Sequence, residues 1–163
     1  MVNQIKLHKR ELLCIVLIFW TGIFVEFLGV NYGLLFGEYS YGKNLGPKLL
    51  GVPFLIGMNW VILTTISGSI SNYIFKGKKI MAILSGSVLM LIIDFFIEPV
   101  APTLDFWEFK NSIVPFSNYT GWLVTGIFTQ FLYQFLFKEK ELTFSINLYF
   151  AIFVFFLFLN LKL

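Results

Sequence analysis

The chain has 163 residues, a formal net charge of +3 and one cysteine. Hydrophobic residues make up 58% of it and charged residues only 13%, about half the share of roughly 25% that is typical of globular domains. A soluble domain of this size would expose much of that apolar surface. The composition also excludes a disordered chain, a disulfide framework and a basic stripe able to bind nucleic acid, so we expect an integral membrane protein.

Five apolar segments are long enough to cross roughly 30 Å of hydrocarbon as helices, which takes about 20 residues each. In chain order they cover residues 12–30, 51–74, 80–97, 118–137 and 143–161. These runs lack the two-residue alternation of barrel strands, and the first is too long for a cleaved signal peptide. The sequence therefore predicts an all-α bundle of about five transmembrane helices, in which residues 1–163 form a single membrane domain.

The placement of lysine and arginine predicts the orientation of the bundle, because cytoplasmic loops carry the excess of these residues. The N-terminal segment and alternate loops contain Lys6, Lys9, Arg10, Lys76, Lys78, Lys79, Lys138 and Lys140. The intervening loops contain only Lys43, Lys48 and Lys110. We therefore expect a cytoplasmic N-terminus, with the two long loops of residues 31–50 and 99–117 ordered and packed on the outer mouth of the bundle.

Polar and aromatic side chains recur at one depth in four of the predicted helices. Counted from the basic residue at the cytoplasmic end of its helix, Glu26 lies 16 residues along and Asp94 lies 15 along. Trp60 and Trp122 each lie 16 residues from such a lysine. At 1.5 Å per residue these side chains are all about 22–24 Å from the cytoplasmic ends of their helices. We expect them to meet in one thin layer near the outer face.

Asp94 is the most informative residue of this layer. It interrupts the apolar run LMLIIDFFI, where a carboxylate costs about 2.5–3.5 kcal/mol at a helix centre. Glu98 follows four residues later on the same helix face. Two carboxyls in a poorly solvated site do not both ionise at low cost, so one is expected to hold a proton and to act as a general acid. For these acids and for Glu26, the alternative is a packing contact or an acid that merely reaches water.

Asn59, Trp60, Tyr119 and Trp122 are candidate substrate-binding residues beside these acids. The amide is suited to positioning a substrate, and the aromatic faces are suited to covering a cationic intermediate. The same residue types also serve as contacts between helices and as anchors at the membrane interface. One histidine and the lack of any metal-binding motif predict no metal site.

Several ordered blocks between residues 26 and 137 resemble a known family. They are EFLGVNYG from Glu26 and YSYGKNLGP from Tyr39, then GVPF from Gly51 continuing into Asn59 and Trp60, DFFIEPVA from Asp94, Phe106 with Trp107, and residues 114–122 with Asn118. In these blocks the chain resembles the carotenoid biosynthesis membrane proteins, which are typified by the carotenoid 1,2-hydratases and bisanhydrobacterioruberin hydratase.

The resemblance implies isoprenoid chemistry by a hydratase, a hydro-lyase that adds water to the terminal C=C bond of an acyclic carotenoid end group. Asp94 is then the acid, and Glu98 holds its proton or orients water. The other members of the site would be Glu26, Asn59, Trp60, Asn118, Tyr119 and Trp122. No cofactor or metal is required. The carotenoid would enter sideways from the bilayer along the phenylalanine-rich fifth helix, and water would come from the outer mouth.

Other functions remain open at this point. End-group cyclisation uses the same protonation but excludes water, and a carotenoid-binding scaffold subunit would not catalyse any reaction. A small transporter component could use the carboxylates to relay protons. The expected location is the inner (cell) membrane of a bacterium or an archaeon, with a second copy or other carotenoid enzymes as further partners.

Overall fold

The computed structural model describes residues 8–138 and 141–163. Within these ranges the chain forms five α-helices, which are α1 (Lys9–Tyr32), α2 (Phe54–Ile74), α3 (Lys79–Ile97), α4 (Phe116–Leu136) and α5 (Leu142–Lys162). Each end lies within three residues of the predicted one, so the all-α bundle is confirmed. Lys6 and Lys140, on which the orientation partly rests, lie outside the described residues, and the orientation and the single-domain organisation stay predictions.

Four of the helices, α1, α2, α3 and α5, are long and apolar enough to cross a membrane. Helix α4 is as long as α2, but one of its faces carries the buried polar residues Asn118, Thr125, Thr129, Gln130 and Gln134. These side chains face other helices, because polar groups are costly in contact with lipid. For example, the Gln130 amide donates to the Thr64 carbonyl at 3.0 Å, and the Gln134 amide donates to the Gly68 carbonyl at 2.9 Å.

The first four helices form the core of the bundle, and α5 lies along its outside. Helix α4 packs against α3 and α1, and α2 contacts both α1 and α3. Helix α5 packs against α2 and α3 and buries only Ser145 fully along its described length. A helix that is apolar all round and leaves most of its surface exposed is suited to contact with lipid.

The two long loops form one ordered cap, as expected, which we call the outer cap after the predicted orientation. They contain short strands that the sequence did not predict. Strand β1 (Tyr39–Tyr41) pairs antiparallel with β4 (Trp107–Phe109), and β2 (Lys48–Leu49) pairs with β3 (Val52–Pro53). An ion pair of 2.5 Å between Lys110 and Glu38 also joins the loops.

Strand β1 alternates in burial, with Tyr39 and Tyr41 buried and Ser40 exposed. In the register of the ladder, Tyr39 lies opposite Phe109 and Tyr41 lies opposite Trp107. Because paired residues share one face of a sheet, the cap directs aromatic side chains from both loops towards the ends of the helices.

Candidate functional site

Ten side chains from six elements meet beneath the outer cap. We call them the acidic site, and they are Glu26 from α1, Tyr39 and Tyr41 from β1, Asn59 and Trp60 from α2, Asp94 and Glu98 from the end of α3, Trp107 from β4, and Asn118 and Trp122 from α4. The three acids are each at most 4% exposed. The site therefore holds three carboxyl groups in a poorly solvated position, where their protonation is determined by the available hydrogen-bond donors.

Glu26 is surrounded by donors. Its Oε1 accepts a hydrogen bond from the Trp60 indole at 3.0 Å. Its Oε2 accepts hydrogen bonds from the hydroxyls of Tyr41, at 2.7 Å, and Tyr39. Three donors on two oxygens suit an ionised carboxylate, which only accepts hydrogen bonds. These hydrogen bonds favour the charged form of Glu26, against the cost of burying it.

The two tyrosines of β1 keep their protons in this arrangement. Burial raises the pKa of both the Tyr39 and Tyr41 hydroxyls above the ordinary phenol value, and the neighbouring charge of Glu26 raises it further. Each therefore stays protonated and donates to the carboxylate. The rings are also packed edge to face, with centroids 5.5 Å apart, which fixes the direction of both hydroxyls.

An indole pair forms the wall beside Glu26. The rings of Trp60 and Trp122 are stacked with centroids 4.3 Å apart and an interplanar angle of 17°. The Trp60 ring is fixed by its hydrogen bond to Glu26 and by close packing on Gly22 of α1. Trp60 is fully buried, while Trp122 lines the cavity described below. The stack thus fixes the Trp122 indole as an electron-rich wall near a carboxyl group, and such a wall attracts a cation.

Gly22→Ala tests this packing. A Cβ atom at position 22 would lie 2.5 Å from the Trp60 ring, so the ring must move and its hydrogen bond to Glu26 must weaken. Overpacking of this kind costs about 1–3 kcal/mol in the free energy of unfolding. We expect a lower melting temperature and a changed near-ultraviolet circular dichroism signal from the indole stack. Phe24→Ala, which alters an exposed ring in the same helix, is the control, and an unchanged stack signal in Gly22→Ala would contradict the packing argument.

Asp94 and Glu98 have fewer donors than Glu26. The Asn118 amide donates to Asp94 Oδ2 at 3.2 Å and to Glu98 Oε1 at 2.7 Å, and the Trp107 indole donates to Glu98 Oε2 at 3.0 Å. Within the described residues, Asp94 Oδ1 is buried without a donor. The two carboxyls also lie in hydrogen-bonding contact with each other. A proton shared between them satisfies both acids, as one carboxyl then donates to the other.

A cavity of about 20 Å³ lies between the two groups of acids. Its lining includes Glu26, Glu98, Asn118, Asn59 and Trp122. A cavity needs roughly 10–15 Å³ to hold one water molecule, together with polar partners. The space therefore fits a single water between the carboxyl groups of Glu26 and Glu98.

The structure brings together most of the residues predicted for the site. Five of them line the cavity, namely Glu26, Asn59, Glu98, Asn118 and Trp122. Trp60 and Asp94 do not line it, but each is hydrogen-bonded to a lining residue, Trp60 to Glu26 and Asp94 to Asn118.

Tyr119 does not line the cavity. It is half-buried, and its ring lies 6.0 Å from that of Phe95, an exposed residue of α3.

The roles of Tyr39, Tyr41 and Trp107 in the site were not predicted from the sequence, because each loop alone gives no indication of which buried acid its side chains reach. The alternating pattern Tyr-Ser-Tyr was the available signal, but three residues are too short to predict a strand.

Comparison with known proteins gives two matches. The model of a family described as carotenoid biosynthesis protein matches residues 2–163. The bisanhydrobacterioruberin hydratase of Haloarcula japonica is 30% identical over 126 residues, which cover 72% of this chain and 43% of that protein. The chain thus spans less than half the length of this relative. No solved structure matches the chain.

Proposed function

The chain belongs to the carotenoid biosynthesis protein family, and on that premise we propose that it adds water to the terminal C=C bond of an acyclic carotenoid end group. The observation that carries the proposal is the water-sized cavity that lies between the Glu98 carboxyl, which adjoins Asp94, and the Glu26 carboxyl, which adjoins stacked indoles. The relative from Haloarcula japonica is named as a hydratase, which agrees with this reaction class.

The first step is protonation of the alkene. Glu98 faces the cavity and Asp94 lies behind it, so we assign delivery of the proton to Glu98 and its supply to Asp94. The proton bonds to the less substituted alkene carbon, and the π electrons form that C–H bond, which leaves a tertiary carbocation. A general acid of this kind contributes about 10²–10⁴-fold to a rate.

Water then captures the cation. The oxygen of the enclosed water forms the new C–O bond, and one of its protons returns to the Asp94–Glu98 pair, so that the pair ends in its starting state. The net change is the addition of one water to the end group. The negative charge of Glu26 and the ring of Trp122 stabilise the cation before capture, and Trp60 fixes the Trp122 ring by stacking on it.

The proposed location is the cell membrane of a bacterium or an archaeon. The apolar helices agree with a membrane protein, and the predicted orientation puts the acidic site towards the outer face. The substrate is a lipid-soluble carotenoid, which reaches the site from the bilayer.

Expression in a host that makes an acyclic carotene such as lycopene tests the reaction. We expect the extracted pigment to gain the mass of one water and a tertiary hydroxyl at its end. Unchanged mass with correctly inserted protein would support a carotenoid-binding scaffold instead, and a ring without added water would support a cyclase.

The pH dependence of turnover is a further prediction. Burial raises the pKa of Glu98 to about 7. The hydrogen bonds from Trp107 and Asn118 favour the charged form and so lower this pKa, but burial has the larger effect. Since the step needs a protonated acid, turnover should be constant well below pH 7 and fall up to tenfold per pH unit above it. Trp107→Phe removes one of those hydrogen bonds and should move the midpoint to higher pH. A midpoint near 4.5, the ordinary pKa of glutamate, would contradict the raised pKa, and a midpoint that Trp107→Phe leaves unchanged would show that Glu98 is not the titrating acid.

A further inference from the structure

A second cavity adjoins the acidic site and differs from it in chemistry. This apolar groove has a volume of about 230 Å³ and lies between α2, α3 and α5, beneath the outer cap. Leu55, Ile97, Ile152 and Phe156 contribute to its walls, and Asn59 is the one non-aromatic polar residue in its described lining. Leu55 is 54% exposed, so the groove reaches the lipid-facing surface of the bundle.

The groove adjoins the acidic site. Both cavities are lined by Ile56, Asn59 and Trp107, so these side chains lie between them. The Trp107 indole donates to Glu98 at 3.0 Å. A chain lying in the groove would therefore have its end within one side-chain width of the proposed acid.

The size of the groove suits part of an isoprenoid chain. An apolar protein cavity of about 150 Å³ takes up benzene, so about 230 Å³ admits roughly one to two isoprenoid units. The water-sized cavity is too small for an isoprenoid unit. The end group would therefore lie in the groove, and only its terminal C=C bond would approach the acids.

Two hydrogen bonds fix helix α5 against α3 beside the groove. The Tyr149 hydroxyl donates to the Leu89 carbonyl at 3.0 Å, and the Asn160 amide donates to the Phe96 carbonyl at 2.6 Å. These two contacts with α3 lie on either side of Ile152 and Phe156 in the sequence. They fix the wall of the groove without filling it.

Resting on the proposed function, we infer that the apolar groove binds the terminal isoprenoid units of the carotenoid. Its lipid-facing opening admits the chain sideways, Ile152 and Phe156 of α5 hold it, and Asn59 and Trp107 direct its end towards Glu98. In the described part of the chain no hydrogen bond of the Asn59 amide is found, which leaves it free to bind the water or the hydroxyl product.

Photo-crosslinking in membranes that contain the full chain tests this inference. The probe is an acyclic carotene analogue with a diazirine on its terminal isoprene unit, and a phospholipid with a diazirine on its acyl chain is the comparison. We expect the carotene probe to label Leu55, Ile152 and Phe156 at least tenfold more than the phospholipid does. Equal labelling by the two probes would show a lipid site and overturn the inference.

Two groove-filling variants give the second readout. Ile152→Trp and Leu55→Trp, on opposite walls, should each lower both carotene labelling and turnover at least tenfold. Val154→Trp, on the exposed face of the same helix, is the matched control and should change neither. Full turnover in a correctly inserted Ile152→Trp or Leu55→Trp variant would overturn the groove. Groove labelling without any gain of water would instead reject the hydration proposal and leave the binding site standing.

Discussion

Replacing Asp94 by asparagine or Glu98 by glutamine is expected to lower turnover by about 10²–10⁴-fold, the usual contribution of a general acid. Each change removes one carboxyl from the pair that shares a proton, and neither amide can deliver a proton to an alkene. Both replacements keep the size of the side chain. The measurement is the ratio of hydrated to unmodified carotenoid in membranes with equal amounts of inserted protein.

Pigment binding separates a catalytic role from a structural one in these variants. In Asp94→Asn the new amide nitrogen can donate to the Glu98 carboxylate in place of the shared proton, and the amide oxygen can still accept from Asn118, so the fold should be retained and the carotenoid should still bind. Glu108→Gln is the matched control, because it makes the same chemical change at an exposed position of the same outer cap. If Asp94→Asn and Glu98→Gln hydrate the carotenoid at the rate of Glu108→Gln, the proposed acid is wrong.

The number of donors explains why the three acids have different roles. Glu26 receives three hydrogen bonds, from Trp60, Tyr39 and Tyr41. The two carboxyls of α3 receive three between them, two of which come from the single amide of Asn118. A carboxylate is stabilised by the donors around it, and a buried carboxyl without enough donors holds a proton. The proposed mechanism accordingly assigns the charge to Glu26 and the proton to the pair at the other end of the cavity.

The positions of the site residues along their helices could be predicted from the sequence. The directions in which their side chains point around the helix axes could not. A helix rises 1.5 Å per residue, so counting from a basic end places Glu26, Trp60 and Trp122 at one level, and the structure brings them into contact. Successive residues of a helix differ by about 100° in direction, and that angle depends on packing. Asn118 therefore reaches the acids, while its neighbour Tyr119 contacts Phe95 instead.

The cap residues could not be predicted because their partners are distant in sequence. Tyr41 pairs with Trp107 across a strand ladder that joins two loops, and each loop contributes a donor to a different acid. Pairing of short strands depends on long-range contacts, and three-residue segments carry too little local pattern to indicate it. The helices, by contrast, could be predicted to within three residues at each end. The thickness of the membrane requires apolar runs of about 20 residues, and such runs are visible in the sequence alone.

Glu26→Gln is expected to lower turnover by about 10²–10³-fold while the fold is retained. The amide oxygen can accept the hydrogen bond from Trp60, and the amide nitrogen can donate to the oxygens of Tyr39 and Tyr41, since a hydroxyl both donates and accepts. The buried contacts are therefore kept and only the negative charge is lost. Loss of one preorganised electrostatic contact in a site that excludes water has an effect of this size.

Glu26→Leu should differ from Glu26→Gln in a way that identifies the charge as the functional property. Leucine leaves three buried donors without an acceptor, at a cost of about 1–3 kcal/mol each, so this variant should lose both thermal stability and turnover. Glu38→Gln, which removes the charge of an exposed ion pair with Lys110, should change neither. Melting temperature and water addition are measured on the same membranes. Because Glu26→Gln keeps the hydrogen bonds and loses the charge, full turnover in that variant would mean that the carboxylate holds the cap in place and does not stabilise a cation.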